Sequence, residues 1–341
     1  MPPSASEPID WKKLHRDHFR GLRVLITGGA GFIGSHLAEA LLGLGAQVAV
    51  IDDLAGGSAE NIRAAEKGGG GGDKIEFHQA SILDRPALDA AMSGCRYIFH
   101  QAALGSVPRS IEQPMEYQQA NSDGTLAVLE SARKHGIARV MFAASSSAYG
   151  DSPTLPKIET MPTLPKSPYA ATKVAGEALC RAYAASYGLD AVALRYFNIF
   201  GPRQSPDNAY AAVIAAFAKS LAAGKRPIIY GDGEQSRDFT SVYNVVHANL
   251  LAATRPDPIG GETINIACGT RISVNELALE MAKLFGNPQL TAEHRPERAG
   301  DVKHSIADLQ RAAEILGYRP IVDFRTGLAL AVKWYRKTLS T

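Results

Sequence analysis

The sequence predicts an α/β fold, a doubly wound parallel sheet with a smaller mixed α/β C-terminal domain. Three observations carry that expectation. From residue 22 onward, short β-branched runs alternate with longer helical stretches, the pattern of parallel strands joined by crossover helices. The runs are apolar at nearly every position, as strands covered on both faces must be. After residue 200 the alternation breaks into Pro- and Gly-punctuated segments, GPRQSPDNAY, GDGEQSRDF and HRPERAGDVKHS, with helical stretches between them.

Taken in order, MPPSASEPIDWKKLHRDHFRG reads as a disordered tip followed by a polar helix, an extension over 1–20. It has no apolar signal region. The strand LRVLIT, the helix FIGSHLAEALLGLG and the strands QVAVID and KIEFHQ come next. RYIFHQAA, a helix near 116–135, ARVMFAAS, a helix from 168 to about 187 and DAVALRYFN complete a domain over 21–200. Residues 201–341 read mainly as a second domain closing over the carboxyl edge of the sheet, with a chain crossover back to it. The tract KGGGGGD, residues 67–73, reads as a mobile surface loop.

Composition excludes several classes. A chain of 341 residues, 45% hydrophobic, can bury a substantial core. Lys plus Arg number 36 against 34 acids, a balance of +2, with no basic block interleaved with aromatics; nucleic acid is not expected as a partner. No apolar run approaches the roughly 20 residues of a membrane span, so no membrane segment is expected. Cys95, Cys180 and Cys268 are far apart, which suits a reducing cytoplasm rather than a disulfide framework or zinc site. Nine histidines lie without ligand spacing, so no metal is expected, and His100 at a strand end reads as a structural or wall residue.

VLITGGAGFIGSHLAEAL sets Gly28, Gly31 and Gly34 between a strand and a helix. The first turns the chain, the second lets backbone N–H groups approach a pyrophosphate, and the third permits close helix packing. VAVIDD ends in Asp52 some two dozen residues on. A carboxylate there accepts from an adenosine ribose and repels a 2′-phosphate, which makes the sheet Rossmann-type and the cofactor NAD. Asp53 reads as a secondary contact.

KSPYAATKVAGEAL supplies the second strong feature. Ser167 can cap a helix and Pro168 open it, which leaves Tyr169 and Lys173 four apart on one face. An ammonium one turn from a phenol is expected to lower the phenol's pKa and make the pair a base near neutral pH.

TGGAGFIG, SSSAYG, YAATK and LRYFNIFGPRQ together resemble the extended short-chain dehydrogenase/reductase family of nucleotide-sugar epimerases and dehydratases, over residues 22 to about 338. The resemblance implies that Ser145, four residues before Tyr149, joins Tyr169 and Lys173 as a catalytic residue. It implies further NAD contacts from Phe32, Ile33, Ser81, Ile82, Gln101, Ala102, Ala103, Asn121 and Tyr196. Ser81 stands where family members usually carry an aspartate for the adenine amino group. Dehydratases of the family carry acids beside the catalytic hydroxyl; this chain has Ser146 and Ser147 there, so simple C4 oxidation and re-reduction is expected.

HQAALGSVPRSI and GDVKHS are similar to segments of bacterial UDP-N-acetylglucosamine 4-epimerases. By that resemblance Asn198, Arg237 and Arg298 hold the diphosphate, Asp301 the uridine ribose, and Gln204, Tyr210 and Ala212 the same pocket wall. Gly105, Ser106, Ser146, Ser147 and Ser305 surround the sugar. A small Ser305 implies room for a 2-acetamido group, hence reversible epimerisation of UDP-N-acetylglucosamine and UDP-N-acetylgalactosamine by a homodimer paired through helices including that of Tyr169. The alternatives are a 4-epimerase of UDP-glucose or of a UDP-uronic acid, the latter with Arg109 as the cation for its carboxylate. An NAD-sensing regulator without catalysis is the alternative of another class.

Overall fold

The computed structural model describes residues 9–70, 74–206, 213–297 and 303–339. One parallel sheet is built from β1 Arg23–Thr27, β2 Gln47–Ile51, β3 Glu76–His78, β4 Tyr97–His100, β5 Arg139–Ser145, β6 Ala191–Tyr196 and β7 Thr263–Ile266. Their spatial order is β7-β6-β5-β4-β1-β2-β3. The order reverses between β1 and β4, and the crevice outside the strand ends at such a reversal is where α/β sheets take ligands.

The helices are α1 Trp11–His15, α2 Phe32–Gly43, α3 Ala59–Gly68, α4 Arg85–Met92, α5 Val107–Glu112, α6 Pro114–Tyr117, α7 Gly124–Lys134, α8 Pro168–Tyr187, α9 Val213–Ala222, α10 Val242–Thr254, α11 Val274–Leu284, α12 Gln310–Leu316 and α13 Phe324–Leu339. Alternate strand residues feed opposite cores because side chains change face at each step. Val24, Ile26, Val48 and Val50 meet Leu37, Leu41, Val246 and Leu316 from α2, α10 and α12. Leu25, Ala49 and Ile51 meet Leu88, Leu129 and Cys180 from α4, α7 and α8. Leu25 and Ile26 are both fully buried, so truncating either to Ala should cost about 2–5 kcal/mol.

A third core joins α9, α11 and α13 through Phe217, Leu277, Met281, Phe324 and Leu328. Short strand pairs stitch its loops together: Ile199–Phe200 with Thr240–Ser241, and Ser236–Arg237 with Ile272–Ser273. The strand β7 returns to the main sheet beside β6. Among the described residues no helix is long and apolar enough to cross a membrane.

Two stretches differ from the sequence expectations. Lys67 and Gly68 are the last residues of α3 rather than part of a loop, and 71–73 lie outside the described residues. The reason is a close approach of helices: a Cβ on Gly68 would stand 2.5 Å from the Glu39 carboxyl carbon, and one on Gly69 2.5 Å from Leu42 Cβ. The expected helix near 116–135 is broken in character, α6 passing through a π-helical turn, Gln118–Asp123, into α7. Such turns recur at functional sites. At the other end of the chain, α1 is fastened by a His15–His247 ring contact, Nε2 to Nδ1 at 3.0 Å, and by the fully buried Phe19.

Candidate active site

The turn after β1 has no side chains on its inner face because none would fit. A Cβ on Gly34 would stand 2.2 Å from the Gly28 carbonyl oxygen, and Gly28 itself has φ +70°. Gly31 caps α2 without a side-chain hydrogen bond, so the first-turn N–H groups remain available to an anion. Asp52 closes the turn: its Oδ2 accepts from Ala30 N at 2.9 Å and its Oδ1 from Leu54 N at 2.8 Å. Burial raises its pKa, opposed by those two N–H groups. Each oxygen keeps acceptor capacity for ribose hydroxyls.

A cavity of about 350 Å³ opens over this turn, within the roughly 300–1,000 Å³ of small-molecule sites. Its walls include Gly28, Gly31, Phe32, Ile33, Gly34, Asp52, Asp53, Ser81, Ile82, Gln101, Ala102, Ala103, Gly105, Tyr169, Lys173 and Tyr196. Ser81 Oγ accepts from Leu83 N at 3.3 Å. Tyr196 donates to Gln101 Oε1 at 3.3 Å and accepts from Asn249 at 2.8 Å. Asn121 stands behind the wall rather than in it. From the π-helical turn, its Oδ1 accepts from Leu104 N at 2.8 Å, and its Nδ2 donates to Leu104 O at 3.1 Å and Thr172 Oγ1 at 3.0 Å. An uncapped helix end, a floor without side chains and a carboxylate with spare acceptors fit a dinucleotide.

Ser145 ends β5, and a 3-10 turn, Ser146–Tyr149, follows it. Ser145 Oγ accepts from Ser147 N at 3.2 Å and from Ser147 Oγ at 2.9 Å. Ser167 caps α8 through Ala170 N at 3.2 Å, which puts Tyr169 at its start and Lys173 one turn on. Lys173, 4% exposed, donates from Nζ to Ala143 O at 2.8 Å. Burial pushes its pKa down to about 8, with the Glu177 charge opposing.

The expectation that Lys173 lowers the Tyr169 pKa is corrected here. Burial raises the phenol, the Ser145 hydroxyl opposes that, and Tyr117 adds to it. The ammonium is turned to Ala143 and stands 5.9 Å from the Tyr169 ring centre. His100, held between Thr27 Oγ1 at 2.7 Å and Thr125 Oγ1 at 3.0 Å, is pushed down to about 3 by burial and then by Lys173. It is a neutral strut.

A second cavity, about 360 Å³, shares Ile33, Ala144, Tyr169 and Tyr196 with the first. Ser145, Ser146, Ser147, Asn198, Arg237 and Ser305 also line it. Asn198 and Arg237 continue into a third cavity walled by Phe200, Tyr230 and Phe239. Asn198 holds φ +37°, a backbone state costly for a side-chain-bearing residue and typical of functional positions. Arg237 donates to Ser236 O at 3.1 Å and Lys303 O at 3.2 Å. Ser305 N donates to Ser236 O at 3.0 Å.

Four residues singled out in the sequence sit elsewhere. Ser106 caps α5 through Arg109 N at 3.3 Å, and Gly105 lines the cofactor cavity rather than the second one. Gln204 donates to Ile199 O at 3.0 Å, its Oε1 buried without a partner among the described residues. Arg109 points outward, donating to Gln113 at 2.5 Å and Glu116 at 3.4 Å. Tyr210, Ala212, Arg298 and Asp301 lie outside the described residues. Sequence reasoning missed Lys157, which lines the second cavity; a lysine between prolines in a loop carries no local signal.

Residues 24–267 match the model of the NAD dependent epimerase/dehydratase family. A UDP-glucose 4-epimerase of Mycolicibacterium smegmatis is 40% identical over 317 residues, 92% of this chain and 99% of that one. The structure of a UDP-N-acetylglucosamine 4-epimerase from Methanobrevibacter ruminantium, in complex with UDP-N-acetylmuramic acid, superposes with a TM-score of 0.87 at 37% identity, covering 94% of this chain and 99% of that one. The UDP-glucose 4-epimerase of Thermus thermophilus in complex with NAD gives 0.81 at 35% identity, over 92% and 99%.

Proposed function

The chain belongs to the NAD dependent epimerase/dehydratase family and is an NAD-dependent nucleotide-sugar 4-epimerase, and on that premise we propose that it interconverts UDP-N-acetylglucosamine and UDP-N-acetylgalactosamine. The observation that carries the substrate assignment is the wall of the second cavity. Among the described residues, Ser146, Ser147, Gly150 and Ser305 give its lining a run of small residues beside the larger Tyr149, Lys157 and Arg237, and the backbone of Ser305 is tied to Ser236, which supports room for a 2-acetamido group on the side of the small residues.

NAD, when bound, supplies reversible hydride acceptance and return at the sugar C4. Tyr169, facing both cavities, takes the proton of the 4-hydroxyl as phenolate and returns it at the end of the turnover. The Ser145 hydroxyl shares the hydrogen bond to that oxygen and offsets part of the burial that keeps the phenol protonated. Lys173 holds the nicotinamide ribose. The phosphate-binding turn between β1 and α2 orients the cofactor, while Asn198 and Arg237 hold the diphosphate of the substrate. Hydroxyls too short to clamp the hexose leave the 4-keto sugar free to turn and be reduced on its other face.

The homodimer and the cytoplasm belong to the same reading. Ile111, Met115 and Leu126 are apolar and exposed on α5, α6 and α7, beside the catalytic helix α8. All three cysteines are free thiols, as a reducing compartment keeps them. The test is to incubate the pure protein with UDP-N-acetylglucosamine and follow the C4 epimer by proton NMR, with UDP-glucose and UDP-glucuronic acid alongside. Turnover of UDP-glucose with none of the acetylated sugar overturns the substrate assignment.

A further inference from the structure

Asparagine is disfavoured in strands, yet Asn265 stands within β7 and is fully buried. A buried amide costs stability unless its donors and its acceptor are met, so its partners show what it is there to hold. Its Oδ1 accepts from the Tyr149 hydroxyl at 2.7 Å, and its Nδ2 donates to Lys157 O at 2.9 Å and to Asp308 O at 3.4 Å. Its backbone N donates to Glu159 Oε1 at 2.8 Å.

Those partners sit on segments far apart in sequence that bound one space, the second cavity, which takes the sugar in the reading above. Tyr149 closes the 3-10 turn that follows Ser145 and carries Ser146 and Ser147. Lys157 lies on the loop after that turn, and Asp308 on the strip that bears Ser305. Tyr149, Lys157 and Ser305 each line the sugar cavity. Asn265 itself lines none of the three cavities described above, so it works from behind the wall.

An acceptor and two donors in a single plane are what a carboxamide supplies. An ionised aspartate would set acceptors against two carbonyls, and a leucine of similar size would leave every arm unpaired. The loop and the strip are also bonded to each other, Lys157 N donating to Ile306 O at 2.8 Å and Asp308 N to Lys157 O at 2.9 Å. Asp238 holds the strip as well, its Oδ2 accepting from Ala307 N at 3.2 Å. The bond from Tyr149 to Asn265 joins the turn to that assembly.

We infer that Asn265 is a positioning residue: its buried amide holds the turn, the loop and the strip at a fixed spacing, and so keeps the 4-keto sugar inside the cavity while it turns. The inference rests on the nucleotide-sugar reading above and deepens it. In the first half of the turnover the C4 hydride passes to the nicotinamide and the 4-hydroxyl proton to Tyr169. A ketone that then escapes leaves the nicotinamide reduced and Tyr169 protonated, and no epimer is formed. Side chains as short as Ser146, Ser147 and Ser305 do not hold the ketone back by their own bonds. The spacing of the segments that carry them therefore decides between turning and escape.

The test adds UDP-N-acetylglucosamine and, separately, UDP-glucose to the NAD-loaded protein, with the C4 epimer followed by proton NMR and reduced nicotinamide by its absorbance. The native protein is expected to form epimer with little reduced nicotinamide left behind. Tyr149→Phe removes one arm and keeps the ring on Phe197 and Arg195. It should raise the reduced nicotinamide left per epimer formed by about fivefold, the worth of one neutral hydrogen bond. Asn265→Leu should raise it at least as far. A ratio unchanged from native in either folded variant would make the amide a scaffold contact only and overturn the inference. Loss of NAD before sugar is added, or formation of neither product by Tyr149→Phe, overturns it too. If Asn265→Leu does not fold, judged by thermal melting, Tyr149→Phe decides alone. A native protein that epimerises neither sugar overturns the nucleotide-sugar reading itself, and this inference with it.

Discussion

Lys173 Nζ donates to the Ala143 carbonyl at 2.8 Å, fastening α8 to β5 two residues ahead of Ser145. The bond orients the ammonium and leaves burial to set its charge. With its pKa down to about 8, Lys173 is cationic below pH 8 and loses its proton as pH rises through that value. Turnover should hold near neutral pH and fall above about pH 8. Lys173→Met should lack this alkaline limb and lose roughly 10²-fold in kcat. The stability contribution has its own sign: the folded pKa lies below the unfolded value of about 10.4, so it is fully present above that value and lost as pH falls through 8. A native kcat profile flat from pH 7 to 10 would show that the charge of Lys173 is not used.

Tyr169→Phe removes the hydroxyl at the start of α8 that both cavities share; the other shared hydroxyl, that of Tyr196, is committed to Gln101 and Asn249. Epimerisation should fall by about 10³-fold or more. The NAD content, read from the absorbance of the denatured extract, should stay at the native level. Retained activity would remove Tyr169 from the proton-handling role.

Ser305→Tyr tests the open wall of the sugar cavity. A phenol in that place should lower kcat/KM for the acetylated pair at least tenfold more than for UDP-glucose, because only the former carries bulk at C2. Coupled assays on both substrates read the ratio directly. Equal losses would mean that Ser305 does not gate the acetamido group.

Asn121→Ala opens the clamp on Leu104 and strands a backbone N–H and C=O that Asn121 satisfies. Each such group costs about 1–3 kcal/mol when fully buried and unpaired, and less at the half-buried Leu104. The Tm should drop by several degrees, and the loosened wall at 102–105 should release NAD during gel filtration. Native melting and native NAD retention together would show that the clamp is dispensable.

Much of the site was legible because it is built from short-range chain geometry. Gly28, Gly31 and Gly34 must be bare where a strand turns tightly into a helix, and Tyr169 and Lys173 share a face because they lie one helical turn apart. Asp52 was legible for the same reason, as the residue that follows β2. Less legible were side chains whose direction depends on what packs beside them. Ser106 turned inward to cap α5 and Arg109 outward to Gln113 and Glu116, although in sequence either could have faced the sugar.

The linear order of residues thus determined the parallel sheet, the glycine turn and the one-turn spacing of Tyr169 and Lys173, since periodicity and turn geometry act over a few residues, while Ser145 was read from the family resemblance. Only the tertiary structure decided which groups meet from afar. Asn121 reaches Leu104 across 17 positions through a π-helical turn. Lys157 reaches the strip bearing Ser305 through a bridge to Ala307. Burial, which raises the phenol of Tyr169 and lowers the ammonium of Lys173, belongs to the packed molecule as a whole, because it is set by everything that excludes water from those two atoms.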